Sequence, residues 1–257
     1  MSLLIQLGLQ VNRLLRHAGL ELVRNPSGRD LRRIRLIAAR NIEVVIDIGA
    51  NEGQYGRRLR ELGFRGWIHS YEPLPPALKR LRTRASADSK WKVFDLAVGE
   101  TAGSATLHVA GNSESSSILT MARRHLDAEP LSKTVGSVEV RTTTLPQVLQ
   151  QAPEGRTLLK IDTQGYEDRV LGAMNCLDRV DLIEVELSLL EVYAGQTLFR
   201  EMDARIGAAG FELVSLADGF FDRSSGELLQ MDAIYARASQ RGGPHPDDRT
   251  VSKTPNR

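Results

Sequence analysis

Four acidic side chains stand where they could do chemistry, because each follows a short apolar run. Asp47 and Glu72 follow "EVVI" and "GWIHSY", and Asp162 and Glu186 follow "RTLLKI" and "VDLIEV". In a doubly wound sheet, ligands bind beyond the carboxyl ends of the strands. We therefore expect these carboxylates near one crevice, where they could bind hydroxyl or ammonium groups or accept a proton.

A glycine turn, "GANEG", separates the first apolar run from a predicted helix. Gly49 and Gly53 could let a ligand approach the backbone without meeting a Cβ atom. Their spacing is neither the G-x-G-x-x-G of dinucleotide sites nor the Gly-Lys-Ser/Thr of a P-loop, so no pyrophosphate cradle is predicted. The alternative is that Asp47 caps the helix and the glycines only permit tight packing.

The partner acid suggests what the turn binds. A carboxylate at the second strand end, Glu72, can accept two hydrogen bonds from a ribose. Asp47 could face an ammonium group, directly or through water. This combination suits S-adenosylmethionine, a ribonucleoside that carries an ammonium and a sulfonium but no phosphate.

The elements that must position these residues alternate between strand and helix. "KVFDLAVG" is predicted to form a single strand, the third in the chain, and "YEDRVLGAMNCL" a single helix. Near-continuous apolar strands separated by helices indicate a mainly parallel sheet covered on both faces. Only a short turn joins the last two strands, "FELVSLA" and "LLQMDAIYAR", so they should be antiparallel. The predicted fold class is therefore α/β, a Rossmann-like doubly wound sheet with a closing antiparallel strand, preceded by N-terminal helices.

The 257 residues suffice for one sizeable domain with attachments, and 41% hydrophobic and 26% charged residues are ordinary for a globular protein. The net charge of +2 gives no global argument for nucleic acid, and a single cysteine excludes an intramolecular disulfide. We predict a helical extension over residues 1–40, the main domain over 41–237 and a disordered tail over 238–257.

The extension carries eight arginines but only two acidic residues, and its apolar residues recur at helical spacing. A basic amphipathic helix can lie on an anionic membrane, or it can pack against the domain with its arginines solvated. No run is long enough to span a bilayer and no signal peptide is evident. The expected localisation is cytoplasmic, with contact to the inner face of the membrane and homo-oligomerisation left open.

Seven pieces of the chain together resemble the FkbM family of S-adenosylmethionine-dependent methyltransferases, which has the class I methyltransferase fold. They run in the family's order from residue 44 to 188: "VIDIGANEGQYG", "SYEPLPPAL", "VFDLAVGETAGSATLHV", "NSESSSIL", "VEVRTTTLPQVL", "LLKIDTQGYEDRVLGA" and "LIEVELS". The set is far more specific than any one piece.

The resemblance implies roles for individual residues. The turn would hold the methionine end, Glu72 the ribose, the third strand end the adenine, and the serine cluster would close over the cofactor. The cofactor-binding residues it implies are Asp47, Gly49, Ala50, Asn51, Gly53, Tyr55, Glu72, Pro73, Asp95, Leu96, Ala97, Ser116, Ser117 and Asp162. Gln164 departs from the family pattern, which often has glutamate there, and an amide cannot act as a base.

Methyl transfer to an alcohol needs removal of the hydroxyl proton. Asp162 is the predicted base and Glu186 the second candidate, whereas Glu184 is expected on the opposite face of its strand. No metal is predicted, although Asp162 and Glu186 are hard oxygen donors that could hold one. His125 is expected to be a solvated helix residue.

The function that the resemblance implies is O-methylation, commonly of a sugar hydroxyl in a glycolipid, polysaccharide or secondary metabolite. One alternative is a non-catalytic module that binds a membrane or partner through its basic N-terminus. An NAD-type enzyme is disfavoured by the glycine spacing, and RNA methylation by the balanced charge.

Overall fold

The centre of the protein is a seven-stranded sheet, seen in a computed structural model that describes residues 11–13, 15, 17, 25–172 and 174–238. Its strands are β1 (Val44–Ile48), β2 (Trp67–Tyr71), β3 (Trp91–Phe94), β7 (Thr157–Ile161), β8 (Val180–Ser188), β9 (Phe211–Asp218) and β10 (Gln230–Arg237). They lie in the order β3-β2-β1-β7-β8-β10-β9.

The sheet is parallel except at one strand. β1 pairs in parallel with β2 and β7, and these continue the parallel pairing to β3 and β8. β10 lies antiparallel between β8 and β9. The predicted fold class is confirmed, including the antiparallel relation of the last two strands.

Helices cover both faces of the sheet. They are α1 (Gly28–Ala39), α2 (Gln54–Glu61), α3 (Pro75–Ala85), α4 (Arg123–Ala128), α5 (Leu145–Gln151), α6 (Glu167–Leu171) and α7 (Phe199–Ala208). Side chains of α1, α2 and α3 join one buried cluster, and those of α5, α6 and α7 join the other. Although α1 lies in the predicted extension, its Ile37 belongs to the first cluster.

A second, three-stranded sheet was not predicted. It consists of β4 (Ala97–Gly99), β5 (Gly103–Ala110) and β6 (Thr134–Thr144), in the order β4-β6-β5. The prediction of "KVFDLAVG" as one strand was therefore wrong. The chain leaves the main sheet after Phe94, and β4 pairs with β6 instead.

Local signals set several element ends. Gly63, at φ 96°, follows the end of α2, because glycine tolerates the left-handed region. The helix predicted for "YEDRVLGAMNCL" is shorter than expected: α6 ends at Leu171, where Gly172 follows, and a 3-10 turn spans Met174–Cys176. Glycine is a poor helix former, which accounts for the early end.

Two predictions concern residues that the structure largely does not describe. The amphipathic helix near the N-terminus and the tail from Ala238 onward lie mainly outside the described ranges. In the part of the chain that is described, no helix is long and apolar enough to cross a membrane.

Candidate active site

Five positions form a row across the carboxyl edge of the main sheet. The parallel registers of β2, β1, β7 and β8 place four residues side by side. Each of them directly follows one of the last paired residues of these strands, and they are Glu72, Gly49, Asp162 and Glu186. Asp232 on β10 pairs directly with Glu186. We call this set the edge row, and its order runs from β2 to β10.

A cavity of about 500 Å³ opens over the edge row, a size typical of small-molecule sites. Its walls are formed by the main sheet, the second sheet, α1 and the serine cluster in "NSESSSIL". The predicted site residues that line it are Gly49, Ala50, Asn51, Tyr55, Glu72, Pro73, Leu96, Ala97, Ser116, Asp162 and Glu186.

Behind the edge row lies a second row of charges, two residues back on the same strands. Asp47, Lys160 and Glu184 are register partners on β1, β7 and β8. Lys160 Nζ lies 3.4 Å from Asp47 Oδ1 and 3.3 Å from Asp162 Oδ2. Side chains two apart on a strand share a face. We call these three residues the support row.

Asp47 was expected to face a ligand in the crevice, but it lies in the support row behind the cavity. It is fully buried, does not line the cavity, and accepts a hydrogen bond from the Ser70 hydroxyl. Burial raises its pKa, against the charge of Lys160. Sequence reasoning missed Lys160, although a lysine inside the apolar run "TLLKI" was itself a signal that a buried partner exists.

Lys160 is charged in this setting. Burial alone would lower its pKa, but the nearby carboxylates of Asp162 and Asp47 outweigh burial and raise it. Its ammonium also donates to the Gly49 carbonyl at 3.4 Å. Lys160 therefore ties the support row to the turn and to Asp162.

The two glycines of the turn are explained by packing. A Cβ on Gly49 would lie 1.8 Å from the Asp162 carbonyl oxygen, and one on Gly53 would lie 2.6 Å from Leu81 Cδ1. Both have positive φ, 76° and 82°. Gly49 still lines the cavity, but Gly53 does not. The tight-packing alternative accounts for both.

Two further predicted residues lie off the cavity. Asp95 faces two surface arginines, with Arg141 at 3.7 Å and Arg82 at 4.0 Å. It stands at the break between β3 and β4, which the sequence did not reveal. Ser117 is buried, and its hydroxyl donates to the Gln164 carbonyl at 2.7 Å. Ser117 therefore holds the backbone next to the acids.

Glu72 is held by backbone amides. It accepts a hydrogen bond from Asn51 N and one from Leu74 N, both at 2.8 Å. Burial raises its pKa to about 7. Asn51 itself adopts φ 46°, a conformation that asparagine tolerates better than most residues.

The region around Glu72 also offers unused hydrogen-bonding groups. Among the described residues, Asn51 Oδ1 and the Tyr71 hydroxyl are buried without a partner. Buried polar groups are normally satisfied, so each such group calls for a ligand or water. These groups, Glu72 and the apolar Leu96 and Ala97 fit a ribonucleoside such as S-adenosylmethionine.

Asp162 and Glu186 meet in the cavity through an amide. Gln164 Nε2 donates to Asp162 Oδ1 at 2.8 Å and to Glu186 Oε2 at 3.0 Å. The Tyr193 hydroxyl donates to Gln164 Oε1 at 2.8 Å, and Gln230 Nε2 donates to Glu186 at 2.8 Å. A glutamate in place of Gln164 would bring a third carboxylate against this pair, so the departure from the family pattern suits the site.

Glu186 has a strongly perturbed environment. Burial raises its pKa well above the ordinary value, and the charges of Asp162, Glu167 and Asp232 add to the rise. Glu167 supports the same region, since it accepts from the backbone amides of Thr163 and Gly165 at 2.8 and 3.2 Å. Burial raises its pKa to about 7.

The predicted orientation of Glu184 was wrong. It shares a face with Glu186, since the two are two residues apart on β8. Glu184 accepts from Arg33 Nε and from the Tyr55 hydroxyl, both at 2.8 Å. Burial alone would raise its pKa, but the hydrogen bonds and charge of Arg33 lower it. Tyr55 thus lines the cavity while its hydroxyl faces the support row.

The prediction for His125 was also wrong. It is buried, and its ring lies 5.1 Å from Tyr193 and 4.9 Å from Phe220 between centroids. Burial lowers its pKa to about 4. It packs behind the site and does not line the cavity.

Two residues that sequence reasoning missed close the β10 end of the cavity. Arg29 comes from α1 and Asp232 from β10, and Arg29 Nη1 lies 2.6 Å from Asp232 Oδ2. No local sequence signal joins segments so far apart along the chain. Among the described residues, no group of three or more His, Cys, Asp or Glu side chains forms a potential metal site.

The strand order, with its antiparallel β10, is that of the class I methyltransferase fold. The chain belongs to the family described as the methyltransferase FkbM domain, whose model matches residues 47–213. It is similar to the 2-O-methyltransferase NoeI of Sinorhizobium fredii, with 27% identity over 165 residues that cover 61% of this chain and 68% of the relative.

Comparison with solved structures finds chains of low sequence identity and modest structural similarity. One is described as a "putative methyltransferase" from Thermobifida fusca and is 15% identical, with a TM-score of 0.47. The match covers 82% of this chain and 79% of the other. An rRNA methylase from Streptococcus thermophilus is 10% identical, covers 79% of this chain and 93% of its own, and has a TM-score of 0.42. The fold assignment rests on the strand order itself and not on these matches.

Membership of this family makes the protein a methyltransferase with S-adenosylmethionine as the methyl donor. The prediction of the family and of this cofactor is confirmed. An NAD-type enzyme and a non-catalytic module are therefore not favoured.

Proposed function

We propose that the protein methylates a hydroxyl oxygen, and that this hydroxyl belongs to a sugar of a glycolipid, polysaccharide or secondary metabolite. The observation that carries the proposal is the meeting of Asp162 and Glu186 through Gln164 on the cavity floor. A hydroxyl acceptor needs a group that takes its proton, and this pair supplies candidates at one place.

Asp162 is the proposed base. One carboxylate oxygen is held by Lys160 at 3.3 Å and the other by the Gln164 amide at 2.8 Å, so the group is fixed in position. Its side chain is 35% exposed, which leaves it open to a hydroxyl in the cavity. Glu186 is the more deeply shielded acid, and its raised pKa favours the protonated form there. The two acids thus offer different roles.

The cofactor would be held by residues at the β1 and β2 end of the edge row. Glu72 would accept the ribose hydroxyls, Leu96 and Ala97 would border the adenine, and Asn51 and Ala50 would face the methionine part. When bound, S-adenosylmethionine supplies a methyl group on a sulfonium that is already activated for displacement. The chain's contribution is alignment, which can be worth about 7–11 kcal/mol, together with acceptance of the proton at the Asp162 carboxylate.

The relative named a 2-O-methyltransferase supports oxygen as the acceptor atom. Support for a sugar comes from the mixed lining of the cavity, in which amide, carboxylate and guanidinium groups provide both donors and acceptors. A hydroxyl is itself a donor and an acceptor, so a polyhydroxylated ligand matches such a lining.

The test measures S-adenosylhomocysteine formation by the purified protein with a panel of glycosides, and locates the methyl group on the product by NMR. Asp162→Asn should lower turnover about 10²–10⁴-fold, because proton removal is lost, while cofactor binding is retained. Asp127→Asn is the matched control, since Asp127 is an exposed partner of Arg123. Unchanged turnover in Asp162→Asn would remove this residue from the reaction, and a methyl group on nitrogen or carbon would overturn O-methylation.

We also propose a cytoplasmic protein whose basic N-terminus contacts the inner face of the membrane, with residues 41–237 as the methyltransferase domain. Arg13, Arg16 and Arg24, which precede α1 in the sequence, support the membrane contact. Deletion of residues 1–24 should abolish salt-sensitive sedimentation with anionic vesicles. Equal sedimentation of the shortened chain would exclude this role, and light scattering would report the oligomeric state.

A further inference from the structure

The cavity extends past the acids to an end built by segments outside the family match. Arg29 on α1 and Asp232 on β10 line this end, and neither lies within residues 47–213. Asp232 is the register partner of Glu186, so it occupies the last position of the edge row.

The order of the edge row assigns a direction to the cavity. Glu72 stands at the β2 end, where the proposed function places the ribose, and Asp162 stands in the middle. Glu186 and Asp232 then follow on β8 and β10. A cofactor that begins at Glu72 and presents its methyl group near Asp162 leaves the β10 end of the cavity for the acceptor.

Two ion pairs from the same helix differ in accessibility. Arg33 and Glu184 have side chains only 6% and 3% exposed, so this pair is almost wholly buried, although Arg33 borders the cavity. Arg29 and Asp232 are 38% and 21% exposed and line the cavity. The deep pair therefore fixes α1 on the sheet, and the outer pair keeps hydrogen-bonding capacity free for a ligand.

The chemistry of the outer pair matches adjacent hydroxyl groups. A guanidinium carries five N–H donors and a carboxylate accepts at two oxygens, whereas the contacts of Arg29 with Asp232 at 2.6 Å and with Glu184 at 3.5 Å use few of these. A sugar diol needs both a donor and an acceptor, spaced as neighbouring oxygens are. A lone positive or negative group would favour a charged acceptor, but a neutralised pair does not.

We infer that Arg29 and Asp232 form the acceptor subsite, where they bind neighbouring hydroxyls of a neutral sugar and so determine which hydroxyl faces Asp162. This inference rests on the proposed sugar O-methylation. It assigns α1, which precedes the matched family domain, a direct part in substrate choice.

The test uses saturation-transfer NMR and titration of the full chain, loaded with S-adenosylhomocysteine, against methyl α-D-glucopyranoside, methyl α-D-galactopyranoside and methyl α-D-mannopyranoside. At least one glycoside should bind saturably. Arg29→Gln and Asp232→Asn should each weaken that binding about tenfold or more, because each loses hydrogen bonds to a charged group. Calorimetric affinity for S-adenosylhomocysteine should stay within about twofold, as expected for residues distant from the cofactor end.

Two further variants separate binding from folding. Arg57→Gln is the control, since Arg57 is an exposed arginine paired with Glu61 and does not line the cavity. The exchange Arg29→Asp with Asp232→Arg retains an ion pair between α1 and β10 but reverses its donors and acceptors. Glycoside binding should remain weak in the exchanged protein, and full recovery would mean that the pair is only structural.

The outcomes distinguish this inference from the proposed function. If the glycosides bind the parent protein and the Arg29 and Asp232 variants equally, the acceptor subsite is wrong while sugar methylation stands. If no glycoside binds the parent protein while S-adenosylhomocysteine does, the sugar acceptor falls and the subsite with it. A parallel loss of cofactor affinity in the variants would place the pair at the cofactor end and overturn the inference.

Discussion

The two ends of the cavity are built in different ways. At the β2 end, Glu72 is held by the backbone amides of Asn51 and Leu74, and all of these residues lie within the matched family range. At the β10 end, charged side chains of α1 meet charged side chains of β8 and β10. Backbone amides fix a site through local chain geometry, whereas side-chain ion pairs depend on how remote segments pack. The β2 end can therefore be specified locally, and the β10 end cannot.

The largest expected effect comes from breaking the packing of the β10 end. Arg33→Met should lower the free energy of unfolding by about 3 kcal/mol, because it leaves Glu184 buried without its main partner. Urea unfolding measures this change. Arg35→Met is the control, since Arg35 is exposed on the same helix. Equal midpoints for the two variants would show that α1 is not fixed by this pair.

A substitution at the β2 end of the cavity should affect the affinity for S-adenosylhomocysteine more than it affects the packing of the protein. Glu72→Ala should weaken S-adenosylhomocysteine binding about 100-fold, since it removes a charged acceptor and leaves two backbone amides without their partner. Calorimetric titration measures this loss. Glu52→Ala is the matched control, because Glu52 lies in the neighbouring glycine turn but pairs with Arg80 outside the cavity. Comparable affinities would remove Glu72 from cofactor binding.

The pH dependence of the affinity for S-adenosylhomocysteine is a smaller expected effect at the β2 end. Because burial raises the pKa of Glu72 to about 7, the carboxylate is mostly protonated at pH 6 and mostly ionised at pH 8. Ribose hydroxyls donate best to the ionised form, so affinity for S-adenosylhomocysteine should rise about tenfold from pH 6 to pH 8. Titrations across this range should give a flat profile for Glu72→Gln. A rise of the same size in that variant would assign the titration to another group.

Much of the fold could be predicted because it follows from local patterns. Apolar runs separated by helical segments indicated the parallel sheet, and the short final turn indicated the antiparallel β10. The position of Glu72 at the cavity could be predicted because an acid that ends the second strand has a known place in such sheets. Asp162 and Glu186 were placed together by the same reasoning.

Most of the failures share a physical cause, which is dependence on contacts between remote segments. The break after Phe94 arises because β4 pairs with β6, and nothing within "KVFDLAVG" reveals that partner. Asp47 was expected in the cavity, but Lys160 on β7 draws it into the support row. The burial of His125 depends on Tyr193 and Phe220. Glu184 is an exception, since alternation along its own strand already placed it with Glu186.

The position of β10 has a consequence for how the molecule is made. The last strand of the sheet inserts between β8 and β9, which both precede it in the chain. A chain emerging from the ribosome begins to fold from its N-terminal part during synthesis. Until β10 has emerged, two strands expose unpaired edges and α1 has no Asp232 to meet. β10 thus completes both the sheet and one wall of the cavity after every other strand has been translated, so a chain interrupted before β10 lacks the Asp232 side of the cavity.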